Sequence, residues 1–449
     1  MKCGTIVFMS EIPSVKVLEA INPANSGTGE DVLAYNGLVA AVEKYRPTNS
    51  QRSTEVWDSE LGSLEELSKA KQLASEYLLR TSEKVVDSHA GNRDLWADRF
   101  TLAATELYGE PEKAEAACLV TQEYALLLEL QGDNGVSQQH VQLLLDTYKP
   151  IAETSSSLAS GEAAEIDVDH EKVAIHRYGE AMKEQYQPLF DLVETADKPD
   201  FTPQDLQELF TKALDWLKDN DDQDWSEWEA IFNDSTQLSV EATDRKIKIG
   251  SRRESASLKD TKGLIAHELL VHALRAKNGY KTGDKKLATG LPGYLDSEEG
   301  LGILVEEAVN GELPDKAYDR YVDIALALGT IDGAQRTRRE LFQISYARQL
   351  VRSQLRGDGK EKLATLAPRV WGHIDRIYRG GRGDTLGTRQ AIFTKDIAYY
   401  VGYKQMAEYI SRQLSNGKSA KEVFAYLSQA KFDPTNSKHI KRLAETSNS

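Results

Sequence analysis

Apolar residues recur at helical spacing along most of this chain. After Thr202-Pro203-Gln204-Asp205, apolar side chains occupy positions 206, 209, 210, 213, 214 and 217. Intervals of three and four residues place these side chains on one face of an α-helix, and the preceding Thr-Pro-x-Asp is typical of a helix N-terminus. The same periodicity predicts further helices at 64–80, 113–130, 137–148, 314–328, 336–354 and 393–413.

One short stretch alternates instead. Between Asp244 and Gly250, charged residues alternate with Ile247 and Ile249, a pattern typical of a half-buried strand. Two interpretations are open: an ordinary strand of a small sheet, or an edge strand that holds an extended peptide by backbone pairing. Together the two patterns predict a mainly α fold of the α+β class, largely helical with a small β-sheet.

The segment Gly263–His272 sets two imidazoles and a carboxylate, those of His267, His272 and Glu268, in an otherwise apolar, helix-favouring run. A metal-activated hydrolase needs neutral imidazoles to hold Zn²⁺ and an unligated carboxylate to take a proton from water. The alternative is that these are unrelated helix residues. With 8 His in 449 residues, His-Glu-x-x-x-His should arise by chance on the order of once in a hundred such chains.

The spacing of the two histidines departs from that of a regular helical metal site. At about 100° per residue, five steps rotate His272 by roughly 140° from His267, too far for both to reach one ion from an α-helix. A π-bulge widens one turn and brings positions i and i+5 onto one face, and such bulges are frequent at functional sites. The sequence therefore predicts a π-bulge near Leu269 to Val271.

A third metal ligand is available in the pair Glu298 and Glu299, which precedes another apolar, helix-like segment. Three protein ligands plus water is the pattern of catalytic zinc, whereas structural zinc prefers four, often thiolates. The two cysteines, Cys3 and Cys118, lie far away in sequence. An open, catalytic site with one zinc ion is therefore predicted. One of the two glutamates is expected only to complement the dipole of its helix.

Two motifs in this region resemble those of the tyrosine carboxypeptidase family of zinc metalloproteases, which includes microtubule-associated tyrosine carboxypeptidase-like proteins and bacterial proteins named for a QEGLA motif. His267–Arg275 is similar to the family's H-E-x-x-x-H-x-L-R, and Glu298–Gly302 is similar to its [EQ]-E-G-L-A. In that family the Glu before Gly is the metal ligand, so the resemblance assigns Glu299. Gly302 stands where Ala is usual.

The resemblance extends to a third part of the chain. Arg376–Gly380 followed by Phe393–Gly402 is similar to the family's R-x-x-R-G and F-x-K-D-x-x-Y-x-x-G, and Leu107–Pro111 is a weaker upstream match. The resemblance covers roughly residues 90 to 415, and three linked motifs in order are far more specific than one. It implies a helical, zincin-like metallopeptidase domain that removes a C-terminal residue, with tyrosine or another aromatic as the candidate.

The chemistry expected of these residues follows from their types. Zn²⁺ held by His267, His272 and Glu299 would lower the pKa of its water from about 15.7 towards neutrality. Glu268 would then act as the general base and pass the proton to the leaving amine. The alternatives are a metallo-endopeptidase or aminopeptidase, and a zinc-binding regulator or scaffold without peptidase activity.

A carboxypeptidase must also recognise a free C-terminal carboxylate, for which arginine is well suited. With the resemblance, the candidates for substrate binding are Arg376, Arg379 and Lys395, and the glycine-rich loop 379–385 could close over the substrate. Tyr399 is the candidate donor to the developing oxyanion. The alternatives are surface ion pairs for the basic residues and a core position for the tyrosine.

Composition along the chain suggests four regions. Residues 22–52 are rich in Pro, Gly, Asn and Ser, which predicts an irregular N-terminal arm at 1–60. A helical N-terminal region at 61–235, a zinc peptidase catalytic region at 236–430 and a partly frayed tail at 431–449 follow. The small-polar stretch 154–161 is predicted to be a loop or a linker.

Charge and cysteine content limit the partners and the compartment. A net charge of −16 argues against nucleic acid as a partner, because phosphate binding needs a basic surface. Two cysteines fit a reducing compartment. The first apolar run is too short for a secretory signal and no stretch approaches transmembrane length, so a cytoplasmic protein without a membrane partner is expected. The expected partner is a peptide or protein C-terminus, and the oligomeric state is left open.

Overall fold

A computed structural model describes residues 110–158, 168–221, 223–291, 293–378, 392 and 396–446. Helices α1 to α14 span, in chain order, Glu110–Glu129, Gln138–Leu158, Val168–Glu194, Pro203–Asn220, Leu258–Leu264, Leu274–Lys281, Lys285–Thr289, Leu295–Asn310, Asp315–Leu328, Arg338–Leu355, Lys360–Ile377, Ile397–Ser415, Ala420–Leu427 and Ser437–Thr446. Strands β1 to β5 span Asp200–Phe201, Glu229–Asn233, Leu238–Glu241, Lys246–Gly250 and Ala256–Ser257. The mainly α fold with a small β component is confirmed. The predicted arm at 1–60 and helix at 64–80 lie outside the described residues.

The chain forms two compact units. The first draws on Met1–Ala163 and Asp319–Ile397, and the second on Ala164–Tyr318 and Ala398–Ser449. Each unit is therefore built from separate stretches of chain, and the predicted regions 61–235 and 236–430 are both divided between them. Composition along a chain does not report which distant stretches share a core.

Helix α4 begins where the sequence predicts. The hydroxyl of Thr202 accepts a hydrogen bond from the backbone N–H of Asp205 at 3.2 Å, and the Asp205 carboxylate accepts one from the backbone N–H of Thr202 at 2.9 Å. This reciprocal capping box satisfies two backbone donors that a helix start would otherwise leave free. All six predicted apolar positions of α4 are buried in the core of the second unit.

The predicted strand at Asp244–Gly250 is β4, the central strand of a three-stranded sheet. It pairs in parallel with β2 and antiparallel with β3, and Ile247 and Ile249 are fully buried. Because both edges of β4 are occupied, the edge-strand interpretation is wrong for this segment. Strand β2 is as long as β4 but does not alternate charged and apolar residues, and β3 has only four residues. Strand β3, which pairs only with β4 among the described residues, packs against the segment that carries the histidines.

The core of the second unit surrounds the histidine motif. Helices α3, α4, α8, α12 and α13 contribute buried side chains to one apolar cluster together with the three-stranded sheet. Leu269, Leu270 and Val271, between the two histidines, are at most 1% exposed. A segment that is apolar on every side must be enclosed by other elements, so the motif lies on a tightly held element.

The first unit packs α2 against α1 and α10, and α10 against α11. Its core contains charge: Arg348 and Asp323 are both fully buried and joined by a 2.6 Å ion pair. Ser345 and His373 also contact the Asp323 carboxylate, at 2.9 and 3.0 Å. This network provides partners for the buried Asp323 carboxylate.

Two local predictions differ from the structure. Helix α2 continues to Leu158, so the predicted loop or linker at 154–161 is wrong for residues 154–158, and 159–161 lie outside the described residues. In the tail predicted to be partly frayed, Ser437–Thr446 forms α14, and Lys431 and His439 are buried. No helix in the described ranges is long and apolar enough to cross a membrane.

Candidate metal centre

The two histidines lie on a π-helical segment, Ile265–Ala273, that continues directly from α5 into α6. The backbone N–H of Leu274 donates to the carbonyl of Leu269, five residues earlier, which is the π-helical hydrogen bond. The predicted widening is confirmed, and it extends over nine residues rather than a single turn. Positions i and i+5 therefore share one face.

This geometry brings the two imidazoles together. The Nε2 atoms of His267 and His272 lie 3.0 Å apart, with ring centroids separated by 4.7 Å. Two tetrahedral ligands at about 2.05 Å from one zinc ion would have nitrogens about 3.3 Å apart. The observed pair needs only a small adjustment to match that value.

Helix α8 supplies the third donor. Oε2 of Glu299 lies 3.8 Å from Nε2 of His267 and 3.8 Å from Nε2 of His272. The three donor atoms all lie within 4.8 Å of one another. Two nitrogens and one carboxylate oxygen are a donor set suited to zinc, and three protein ligands leave a further position for water. The arrangement of these residues therefore fits one catalytic Zn²⁺.

A buried carboxylate lies behind each imidazole. Nδ1 of His267 is 2.5 Å from Oε1 of Glu306, and Nδ1 of His272 is 2.8 Å from Oε1 of Glu298. With the proton on Nδ1 and donated to the carboxylate, the lone pair of Nε2 faces the shared point, as metal-ligating histidines require. The structure thus separates the glutamate pair: Glu299 faces the Nε2 atoms and Glu298 positions a ring.

The carboxylates of Glu298 and Glu306 are themselves held in place by ion pairs with basic residues. Glu298 pairs with Arg275 and with Lys431, the latter at 2.6 Å, and Lys316 lies 2.6 Å from Glu306. Arg275 also donates to the carbonyls of Ala430 and Phe432, at 2.8 and 2.6 Å. The ring orientations are therefore set by hydrogen bonds that reach into the C-terminal part of the chain.

The charges of nearby carboxylates dominate the electrostatics at His267. Burial disfavours the imidazolium of His267, but Glu306, Glu299 and Glu268 outweigh this effect and raise the pKa of His267 to about 10. Burial likewise opposes ionisation of Glu306, yet Lys316 and His267 lower its pKa to about 2. Lys431 and Arg275 overcome burial and hold the pKa of Glu298 well below its usual range. Without a metal ion, the ionised carboxylates favour the protonated form of His267, and a Zn²⁺ ion bound at Nε2 would take the place of that proton.

Glycines allow the close approach of the elements that carry the site. A Cβ atom on Gly302 would lie 2.5 Å from Cε1 and 2.6 Å from Nε2 of His267, so the absence of a side chain makes room for the ring. A Cβ atom on Gly402 would lie 1.8 Å from the carbonyl oxygen of Asp296. Helix α12 thus crosses the first turns of α8, beside Glu299, at backbone contact.

Glu268 differs from the other acidic residues of the site. It is partly exposed, and its carboxylate forms no hydrogen bond or ion pair with any residue in the described part of the chain. Its charge nevertheless acts on His267, whose pKa it helps to raise. An accessible, unpaired carboxylate next to the ligand set is suited to accept a proton from water.

The structure places the other predicted site residues as follows. Arg376, in the first unit, donates from Nε and Nη2 to both carboxylate oxygens of Asp396, at 2.7 and 2.8 Å. Arg379, Lys395 and the loop 379–385 lie outside the described residues. Tyr399 is partly buried in the first turn of α12, three residues before Gly402. Their substrate-binding and oxyanion roles stay predictions.

Sequence reasoning missed Glu306 and assigned Glu298 only a possible dipole role. A signal for Glu306 existed, because it follows Glu299 by seven residues, which is two helical turns and therefore the same face. No comparable signal indicated Lys431 or Gly302, whose roles depend on contacts across long stretches of chain.

No protein-family model, curated protein or solved structure matches this chain. The resemblance to the tyrosine carboxypeptidase family stays a prediction. The functional argument therefore depends on the geometry of the site.

Proposed function

We propose that this protein is a zinc-dependent carboxypeptidase, which removes the C-terminal residue of a peptide or protein. The observation that carries the proposal is the convergence of Nε2 of His267, Nε2 of His272 and Oε2 of Glu299 on one point. The unpaired carboxylate of Glu268 lies on the same π-helical segment. Three protein ligands and an accessible base are typical of catalytic rather than structural zinc.

The residues divide the reaction between them. Bound Zn²⁺ supplies Lewis acidity and lowers the pKa of a coordinated water. Glu268 takes a proton from the attacking water and returns it to the amine that leaves, so one carboxylate serves as base and then as acid. Glu306 and Glu298 hold the rings of His267 and His272, which keeps both Nε2 lone pairs available.

Glu268 favours a hydrolytic role for the proposed zinc ion over a purely structural one. A scaffold that only bound zinc would have no use for an unpaired carboxylate next to the ligands. Cleavage at the C-terminal end, rather than by a metallo-endopeptidase or aminopeptidase, is supported by the sequence resemblance and by Arg253, whose guanidinium has no partner in the described part of the chain.

The first test measures zinc content and turnover in the same preparation. The native protein should bind about one zinc per chain and hydrolyse members of a peptide library with free C-termini, read by mass spectrometry. Glu268→Gln should keep the zinc and lose turnover, because the amide cannot accept the proton of the water. Glu208→Gln, the same change on an exposed position of α4, is the matched control and should stay active.

Three outcomes would contradict the proposal. A fully active Glu268→Gln protein would exclude this mechanism. Zinc binding without hydrolysis of any library member would favour a scaffold, and equal hydrolysis of free and C-terminally amidated peptides would favour an endopeptidase or aminopeptidase.

A further inference from the structure

Arg253 lies in the short connection between β4 and β5, which leads into α5 and then into the π-helical segment. Its backbone N–H donates to the carbonyl of Gly250 at 3.1 Å. The neighbouring residues Arg252 and Glu254 are exposed, whereas Arg253 is half-buried. The turn therefore directs this one arginine of the connection inwards.

The guanidinium of Arg253 has no partner among the residues that the structure describes. Its Nε atom is buried and without a hydrogen bond, and none of its nitrogens forms an ion pair or hydrogen bond with a residue in the described ranges. Arg275 of the same unit, which is buried, instead contacts a carboxylate and two carbonyls. Because a buried cationic donor without a hydrogen-bond partner is costly, the buried Nε of the half-buried Arg253 favours the binding of an anion.

The carboxylates whose charges act on Arg253 include two from the candidate metal centre. Burial lowers the pKa of Arg253, and the nearby carboxylates of Glu268, Asp260 and Glu306 oppose that effect. Glu268 is the proposed base, and Glu306 positions His267. The charge of Glu268 thus acts on Arg253, yet the two side chains do not form an ion pair.

We propose that Arg253 binds the terminal carboxylate of the peptide substrate. The proposal deepens the function proposed above and depends on it. In a carboxypeptidase, a single residue, about 3.8 Å of chain, separates the carbonyl under attack from the terminal carboxylate. Its receptor must therefore lie close to the base without pairing with it; the charge of Glu268 acts on Arg253, and the two side chains form no ion pair. The planar guanidinium can donate two parallel hydrogen bonds to a carboxylate.

This assignment differs from the candidates suggested by the sequence. Both oxygens of Asp396 already accept hydrogen bonds from Arg376, so that guanidinium would have to leave a bidentate pair before it could bind a substrate. Arg253 needs no such exchange. Its predicted ligand class is a peptide with a free C-terminal carboxylate.

The test compares peptides that differ only at the C-terminus, as the free acid and as the amide. The native enzyme should prefer the acid in kcat/KM. Arg253→Gln should lower kcat/KM for the acid by about 10- to 100-fold, leave zinc content unchanged and bring the acid-to-amide ratio close to one. Arg253→Lys, which keeps the charge but loses the fork, should restore part of the preference. Arg252→Gln, at the exposed neighbour that pairs with Asp234, should behave as the native enzyme.

Binding measured without turnover separates this proposal from the proposed function. In the Glu268→Gln background, calorimetry should give a lower Kd for the acid than for the amide, and Arg253→Gln should remove the difference. If Arg253→Gln keeps the preference for the acid, the carboxylate assignment is overturned while the peptidase stands. If the native protein turns over no peptide yet binds the acid through Arg253, the peptidase fails and the carboxylate site stands. If neither protein distinguishes acid from amide in binding, Arg253 is not the receptor.

Discussion

The orientation of each histidine depends on one carboxylate behind it. Nδ1 of His267 is held by Glu306 at 2.5 Å and Nδ1 of His272 by Glu298 at 2.8 Å. In the neutral ring that can bind a metal ion, these contacts select the tautomer in which Nε2 carries the lone pair. Metal affinity should therefore depend on residues that never touch the metal.

Glu306→Gln tests this dependence. The amide accepts a weaker hydrogen bond from His267 and leaves Lys316 without its charge partner, so zinc affinity should fall by about 10- to 100-fold. Competition for zinc with a chromogenic chelator measures the change. Glu312→Gln, whose carboxylate pairs with Lys259 on the surface, is the matched control. Equal affinities for the two variants would show that Glu306 does not position the ring.

At the scale of elements, the site depends on how closely α12 crosses α8. A Cβ atom on Gly402 would lie 1.8 Å from the Asp296 carbonyl oxygen, and one on Gly300 would lie 1.9 Å from the carbonyl carbon of Gly402. Glu299 occupies the same turn of α8. The approach of two backbones thus fixes the position of Glu299, the proposed third ligand.

Gly402→Ala should force the two helices apart. Overpacking of this kind costs about 1–3 kcal/mol of the free energy of unfolding, and zinc affinity should fall with it because the turn that carries Glu299 must shift. Urea denaturation and the chelator assay measure the two effects. Gly372→Ala, on an exposed helical position with no atom within 4 Å of the added Cβ, should instead stabilise by about 0.5–1 kcal/mol. Similar stabilities for both variants would contradict the close crossing.

Local signals in the sequence predicted elements well. The cap at Thr202 and the five-residue spacing of the histidines each involve neighbours along one helix, and both predictions are confirmed. Non-local features were not predicted. His267 and Glu306 are 39 positions apart and Glu298 and Lys431 are 133 apart, and contacts over such separations produce no periodic pattern in the sequence. The central position of β4 was missed for the same reason.

For the whole molecule, buried carboxylates in both units predict sensitivity to acid. Burial raises the pKa of Asp323, but Arg348, His373 and Ser345 outweigh it and hold that pKa below the ordinary 3.8. In the second unit, Glu306 has a pKa of about 2. A carboxyl group whose pKa is lower in the folded state than in the unfolded state stabilises the fold. Its full contribution is present at a pH above the unfolded-state pKa and is lost as the pH falls through the folded-state pKa. Stability should therefore decline below about pH 4.

Asp323→Asn tests the first unit's share of this effect. Removal of one partner from a buried ion pair costs about 3–5 kcal/mol, so the variant should be less stable at pH 7, and the gap to the native protein should narrow below pH 4 as Asp323 becomes protonated. Urea denaturation at pH 7, 5 and 3 provides the measurement. Asp146→Asn, at an exposed position of α2, should follow the native protein throughout. A gap that does not change with pH would contradict an ionised Asp323.

The contacts between the centre and residues 430–432 have a consequence for biosynthesis. Glu298 is held by Lys431, and Arg275 is held by the carbonyls of Ala430 and Phe432. A ribosome releases the histidines and Glu299 more than a hundred residues before it releases these partners. The nascent chain therefore carries both histidines and Glu299 without these partners until residues 430–432 have left the ribosome, and the proposed metal centre cannot reach its final arrangement before then.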